Sequence, residues 1–143
     1  MSTFHTFEVS AHSRPRMRVG EATELLGRIL LGVLFLVSGA SKITSYASVA
    51  SYMTAAGVSS MWLPLATVTE LFGALAIVLG WQTRWAAALL AGYSLLAALL
   101  FHANVADPVQ SVMFLKNVSI AGGLLVLAAH GAGRYSLDHR RSR

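Results

Sequence analysis

Four long apolar segments dominate the pattern of the chain, and short connections with charged or helix-breaking residues separate them. In the clearest of them, Trp85 to Ala106, 22 consecutive residues include no Asp, Glu, Lys or Arg. A helix of about 18–20 residues rises roughly 27–30 Å, which is one hydrocarbon thickness of a bilayer. The pattern therefore predicts four membrane-spanning helices, at about residues 25–44, 62–79, 85–106 and 112–130.

Polar segments flank and connect these predicted spans. Residues 1–20 and 139–143 are basic, which predicts a flexible cytoplasmic tail at each end of a 24–138 four-helix domain. In the first connection Tyr46, Val49 and Tyr52 recur at helical spacing, which indicates a short interfacial helix in the first outer loop. Short connections make neighbouring helices antiparallel, so we expect an all-α, up-down four-helix bundle in the membrane.

Composition narrows the class of protein. Of the 143 residues 55% are hydrophobic and 12% are charged, and the charged share is about half that of soluble domains. A chain of this length cannot bury so much apolar surface by itself, and disorder needs low hydrophobicity. The chain has no cysteine, which excludes disulfides, thiol redox motifs and iron–sulfur ligation within it.

The positive charges indicate orientation. The net charge is +5, but the arginines flank apolar segments instead of forming a stripe, so we expect no nucleic-acid partner. The two connections at residues 45–61 and 103–111 contain no Lys or Arg. By the positive-inside rule, both termini then lie in the cytoplasm, and the lipid bilayer of the cytoplasmic (inner) membrane is the first partner. Nine of the 11 basic residues lie on that side, namely Arg14, Arg16, Arg18, Arg28, Arg84, Arg134, Arg140, Arg141 and Arg143.

Depth in the membrane selects the candidate site. A charge in the hydrocarbon region costs at least about 2.5–3.5 kcal/mol, so we expect Glu70 to pair with Lys116 inside the bundle. Such a pair is a functional site by default, or else a structural ion pair that fixes helix register, and both interpretations stay open. The candidate catalytic residues are Glu70, Lys116 and His102. The candidate cofactor-binding residues are His102, Gln110, Asn117 and Lys42 in the outer half, and Arg28 near the inner face.

Histidines offer several kinds of chemistry. His102 at the end of the third span can ligate haem, bind a quinone oxygen or move a proton, or it can be an ordinary interfacial residue. His130 lies at the opposite end of the fourth span, so the two histidines cannot share one haem. The remaining histidines lack the spacing of metal ligands, and we expect no metal site. Glu24 and Arg28, at i and i+4, are expected to form a surface pair.

The polar residues also stand in an order that is similar to a known family. The chain reads R-I-L-L-G-V-L-F-L-V-S-G-A-S-K from Arg28, E-L-F-G-A-L-A-I-V-L-G from Glu70, L-K-N from Leu115 and G-A-G-R-Y-S-L-D from Gly131. This ordered set resembles the DoxX family of small four-span membrane proteins, from about Glu24 to Asp138. The positions that match the family pattern are Arg28, Lys42, Glu70, Arg84, His102, Gln110, Lys116, Asn117 and Asp138.

The resemblance implies a loose association with redox systems. Relatives include a subunit of archaeal thiosulfate:quinone oxidoreductase and the membrane component of a mycobacterial complex with superoxide dismutase and a sulfurtransferase. It thus implies quinone as a possible cofactor and an oxidoreductase or sulfurtransferase as a possible partner. Many members have no established activity, so whether this chain is an enzyme stays open.

Two functional hypotheses follow. In the first, the chain is a membrane subunit of a redox system that binds quinone or a small solute in an outer-half polar pocket. Glu70 would relay protons, Lys116 would hold its charge, and His102 or Asn117 would hydrogen-bond a carbonyl oxygen. In the second, it is a non-catalytic carrier or a scaffold that docks partner proteins; a carrier of four spans would need to form a homo-oligomer. The basic tails can also attract anionic lipid, at about 1 kcal/mol per basic residue.

Overall fold

The computed structural model describes residues 19–141, which form six α-helices and one 3-10 turn, with no strand among them. The predicted N-terminal tail up to residue 18, and residues 142–143, lie outside that range. The turn at Ser60–Trp62 leads into the third helix. The helices are α1 (Val19–Thr44), α2 (Tyr46–Ala55), α3 (Leu63–Leu79), α4 (Thr83–Phe101), α5 (Pro108–His130) and α6 (Leu137–Arg141).

Four of these helices are long and apolar enough to cross a membrane, as the sequence pattern predicts: α1, α3 with its preceding turn, α4 and α5. The boundary between α4 and α5 differs from the expected one, because α4 ends at Phe101 and not at Ala106. The α5 helix begins earlier, at Pro108, because the Asp107 carboxylate accepts hydrogen bonds from the backbone N–H groups of Val109 and Gln110 at 2.8 and 3.0 Å. The apolar run to Ala106 therefore overestimated the length of α4, and the Asp107 cap sets the start of α5.

A separate helix, α2, occupies the first connection. It ends at Ala55, and Gly57 follows with φ +76°, a backbone conformation that glycine adopts readily. The Tyr52 ring stacks on Phe101 with ring centroids 5.6 Å apart, and Met53 is buried. The α2 helix therefore packs against the end of α4.

The long helices pack as two pairs. Helix α1 packs on α3, α4 packs on α5, and contacts between α3 and α4 join the pairs. Gly32 of α1 lies against Val78 of α3, and Gly39 lies against Leu71, so the contacts run in opposite order along the two helices. The absence of side chains on these glycines lets the helices approach closely, as helices in lipid need. The shared core comprises Phe35, Ala74, Ile77, Ala87, Leu90, Ala91, Ala121 and Leu124.

The outward surface of the bundle is apolar. Large side chains such as Phe72 on α3, Leu89 on α4 and Val126 on α5 are exposed, and α5 buries only Ala121 and Leu124. A soluble monomer rarely exposes so large an apolar surface. The helices therefore present to their surroundings the surface that lipid chains solvate.

Candidate functional site

A buried carboxylate on α3 is the centre of the candidate site. Glu70 lies at 4% side-chain exposure, and the Lys42 ammonium donates to its Oε1 and Oε2 at 2.9 and 2.8 Å. The Ser38 hydroxyl donates to Oε1 at 3.2 Å and accepts from Lys42 at 2.8 Å. Tyr93 on α4 lies close to this carboxylate. Three helices thus converge on one acid, and we call these four residues the Glu70 cluster.

Local sequence explains how the Glu70 cluster forms. Ser38 and Lys42 are four residues apart on α1, so both side chains lie on one face of that helix. Gly39 stands between them, and a Cβ on it would be 3.4 Å from Cβ of Glu70. A glycine at this position therefore brings α1 close enough to α3 for Lys42 to reach the carboxylate.

The expected pair between Glu70 and Lys116 is wrong. Lys116 is exposed on α5, and its ammonium lies 3.2 Å from the Met113 sulfur. Depth alone suggested the pair, but the inward face of α5 carries Asn117 and Ala121. Lys116 precedes Asn117 by one residue, which turns it about 100° around the helix and away from Glu70.

His102 and Gln110 form a second polar contact, between the end of α4 and the first turn of α5. The two side chains are half-buried, and His102 Nδ1 lies 2.7 Å from Gln110 Oε1. An amide oxygen only accepts hydrogen bonds, so Nδ1 is the donor in this contact. Asn117 instead donates to the carbonyl of Met113 on its own helix at 3.0 Å.

Arg28 has a structural role at the opposite end of the bundle. It is only 3% exposed, so the expectation of a surface pair with Glu24 is wrong. Its guanidinium donates to the backbone carbonyls of Ala132 and Tyr135, the latter at 2.6 Å. More than a hundred residues separate the partners, and sequence spacing carries no signal for a contact with backbone atoms so far along the chain. Arg28 holds the segment after α5 against α1.

Asp138 caps a helix from a distant part of the chain. Its carboxylate accepts from the backbone N–H groups of Gln82 and Thr83 at 2.8 and 2.9 Å, and its own N–H donates to the carbonyl of Gly80 at 2.8 Å. Burial opposes ionisation of Asp138, but these hydrogen bonds, with a contribution from nearby Arg141, lower the pKa of its carboxyl below the ordinary value. Sequence reasoning missed this role. The signal was Gln82, which precedes α4 and makes no side-chain cap.

Two open grooves lie at this same end of the bundle. One, of about 770 Å³, is lined by residues such as Arg84 and His130, and the other, of about 370 Å³, by residues such as Trp81. Neither is lined by Glu70 or His102. Within residues 19–141 no group of three His, Asp or Glu side chains is placed to hold a metal ion.

Comparison with known proteins points to one family. The sequence profile of the DoxX family matches residues 23–103. The chain is 49% identical over 114 residues to inner membrane protein YqjF of Escherichia coli (strain K12), which covers 80% of this chain and 88% of that protein. It is 34% identical over 148 aligned positions to inner membrane protein YphA of the same organism, which covers 98% of this chain and 100% of that protein. No solved structure matches.

Proposed function

The chain belongs to the DoxX family and is a multi-pass inner membrane protein, and from this we propose that it is the membrane subunit of a redox system. In this proposal the Glu70 cluster binds quinone or a small solute in the outer half of the bundle. The four helices have an up-down topology with both termini in the cytoplasm and α2 on the outer surface. The opposite order of contacts along α1 and α3, and the arginine-free connections, support that arrangement.

The observation that best supports this proposal is the buried carboxylate of the Glu70 cluster. Glu70 is buried to 4% exposure in an apolar bundle, while its partner Lys42 keeps 18% of its side chain exposed. An ionisable residue within a membrane is costly, and such residues commonly line proton relays or ligand pathways. In this proposal Lys42, and not Lys116, is the counter-ion of Glu70. The Ser38 and Tyr93 hydroxyls add hydrogen-bonding groups around the same carboxylate.

The chemistry divides between this chain and a partner. Reduction of a quinone to a quinol takes up two electrons and two protons. In this proposal Glu70 is the group that passes protons, and His102 hydrogen-bonds a quinol oxygen through Nε2. The chain has no cysteine for thiol redox chemistry, and the proposal assigns the supply of electrons to a partner oxidoreductase. A quinone ring enters between the helices from the lipid, since neither groove adjoins the cluster.

The direct experiment measures quinone in purified, lipid-stripped protein, followed by titration with a quinone analogue. We expect quinone to co-purify or to rebind saturably, and Glu70→Gln to fold normally while losing binding or proton uptake. Lys116→Gln is the matched control, because it removes a charge of the same helix bundle outside the cluster. If no quinone co-purifies and none rebinds, the quinone proposal fails. If Glu70→Gln folds and functions normally, the pair is structural only.

A second candidate function is a non-catalytic scaffold or carrier, and Lys116 favours it. This ammonium is exposed on a membrane helix, and within the part of the chain that the structure describes no carboxylate pairs with it. An unpaired charge on a membrane helix is energetically costly, and a partner helix that supplies a carboxylate would lower that cost. Crosslinking from position 116 in native membranes tests the scaffold, and solute flux in liposomes, wild type against Glu70→Ala, tests the carrier. A flux that Glu70→Ala leaves unchanged contradicts the carrier.

A further inference from the structure

The larger groove lies where the end of the chain folds back over the start of α4. Its 770 Å³ open between the α3–α4 turn and the segment that follows α5. Arg28 and Asp138 hold that segment in place through the hydrogen bonds described above. Gly131 and Gly133 in the groove wall have φ +86° and +71°, and the side chains of Arg84 and Glu24, respectively, lie against these two glycines. The groove is thus a built feature of the fold.

Among the twelve residues that line this groove, basic side chains outnumber acidic ones. The lining includes Arg84, Arg134, His130 and His139 but one acid, Asp138, whose two oxygens already accept hydrogen bonds from backbone N–H groups. Arg134 pairs with Glu21 at 3.2 Å. Arg84 is exposed, and no carboxylate among residues 19–141 lies within ion-pair distance of it. Arg84 therefore offers a guanidinium to a ligand from outside the chain.

The surroundings of Arg84 are those of a membrane interface. Trp85 lines the same groove and is exposed, and Trp81 at the end of α3 is also exposed. Tryptophans with this placement mark the depth of lipid headgroups. Leu89, one helical turn beyond Trp85, is an exposed apolar side chain on α4. An anion bound at Arg84 therefore has apolar helix surface directly beside it.

We propose that this groove binds the phosphate of an anionic phospholipid headgroup, with Arg84 as the principal ligand. A guanidinium binds phosphate oxygens through two parallel hydrogen bonds, and the acyl chains of the lipid lie along the apolar surface of α4 near Leu89. The bound lipid joins the start of α4 to the segment after α5. This site is distinct from general attraction of lipid by the basic tails, and it does not depend on the function proposed for the Glu70 cluster.

The test titrates the purified full-length protein in detergent with a short-chain phosphatidylglycerol, followed by tryptophan fluorescence. Short-chain phosphatidylcholine and inorganic phosphate are the parallel arms. Wild type binds phosphatidylglycerol more tightly than phosphatidylcholine, and Arg84→Gln weakens phosphatidylglycerol binding roughly tenfold, because a charged hydrogen-bond pair is lost. Arg140→Gln is the matched control, since it removes one positive charge from the same end of the molecule outside this groove. Its affinity stays within about twofold of wild type.

Three outcomes of the titration overturn the proposal. Equal losses in Arg84→Gln and Arg140→Gln mean that overall charge attracts the lipid. Inorganic phosphate that binds as tightly as phosphatidylglycerol means that the groove takes a free anion. Equal affinity for the two lipids removes the role of headgroup charge. If Arg84→Gln fails to fold, a photoactivatable phosphatidylglycerol on wild type decides: crosslinks at residues 82–85 and 130–134 support the site, and crosslinks confined to other residues contradict it.

Discussion

At the scale of single residues, the two partners of the buried ion pair differ in how they reach water. Lys42 lies near the end of α1 with 18% of its side chain exposed, and its long stem allows the ammonium to move toward the headgroups. The Glu70 carboxylate lies within α3 at 4% exposure and has a short stem. Losing one partner is therefore worse for Glu70 than for Lys42.

We predict that Lys42→Ala destabilises the folded protein by about 3–5 kcal/mol, because it leaves the Glu70 carboxylate buried and unpaired. Glu70→Ala costs less, because the freed ammonium of Lys42 moves outward to solvent. Titration of the solubilised protein with a denaturing detergent measures the free energy of unfolding of both variants. Lys116→Ala is the control and stays within about 0.5 kcal/mol of wild type, since its nearest partner is a thioether. A Lys116→Ala that costs as much as Lys42→Ala would contradict the assignment of the pair.

At the scale of elements, two devices set how the helices meet. Glycines on one face of α1 allow α3 to pack closely, and the Asp138 carboxylate supplies the cap that the residue before α4 does not. Both devices act through backbone. Either one, if lost, moves a whole helix and not a single side chain.

The first element-scale prediction concerns helix approach. A Cβ at Gly32 would clash with Val78 and lie 3.3 Å from the backbone oxygen of Ala74, so Gly32→Val destabilises the α1–α3 interface by about 1–3 kcal/mol. Gly27 is on the same helix with nothing within 4 Å of the position of a Cβ. Gly27→Val is therefore neutral or slightly stabilising, because Gly is the poorer helix former. Comparable losses of unfolding free energy in the two variants would show that the effect is not one of packing.

The second element-scale prediction concerns pH. Since the folded-state pKa of Asp138 lies below the value of about 3.9 for an unperturbed Asp, its ionised form stabilises the fold. That contribution is complete above the unfolded pKa and is lost as the pH falls through the lower, folded pKa. Asp138→Asn lowers the free energy of unfolding at pH 7 by about 0.5–2 kcal/mol, as the loss of a helix cap does. It also makes the decrease of stability at acid pH, which we call the acid limb, less steep. Thermal unfolding midpoints between pH 3 and 7 measure both effects, and an unchanged acid limb would exclude Asp138 as its source.

At the scale of the whole molecule, two packed helix pairs carry their polar contacts at opposite ends. The Glu70 cluster and the His102–Gln110 contact belong to the half of the bundle that we propose to be outer. The Arg28 and Asp138 contacts, with both grooves, belong to the other half. The proposed orientation therefore places the end with the Arg28 and Asp138 contacts at the cytoplasmic face.

The prediction at this scale uses the absence of cysteine, which makes every introduced thiol unique. In the proposed topology, Ala56→Cys and Asn104→Cys react with an impermeant maleimide in intact spheroplasts. Ser2→Cys and Ser142→Cys react only after the membrane is opened, because this topology places both termini in the cytoplasm. The reverse pattern would invert the orientation, and labelling of one terminus only would rule out an even number of spans.

The sequence by itself determined the class of protein, the four apolar helices and the family, because segment length, apolar content and an ordered set of polar residues are properties of the chain in one dimension. It also identified Glu70 as a membrane-depth acid and Asp138 as a position of the family pattern. These are statements about depth and order, and residue counting along a helix is sufficient for them.

Only the tertiary structure decided the partners. The sequence places Lys42 and Lys116 in the same half of the bundle as Glu70, and the choice between them depends on the rotation of each helix about its axis, which packing at Gly39 and Ala121 sets. Arg28 and Asp138 bind backbone groups far along the chain, and backbone atoms carry no sequence signal. Rotation and long-range closure come from packing in three dimensions, which is why depth singled out Glu70 but not the side chains that contact it.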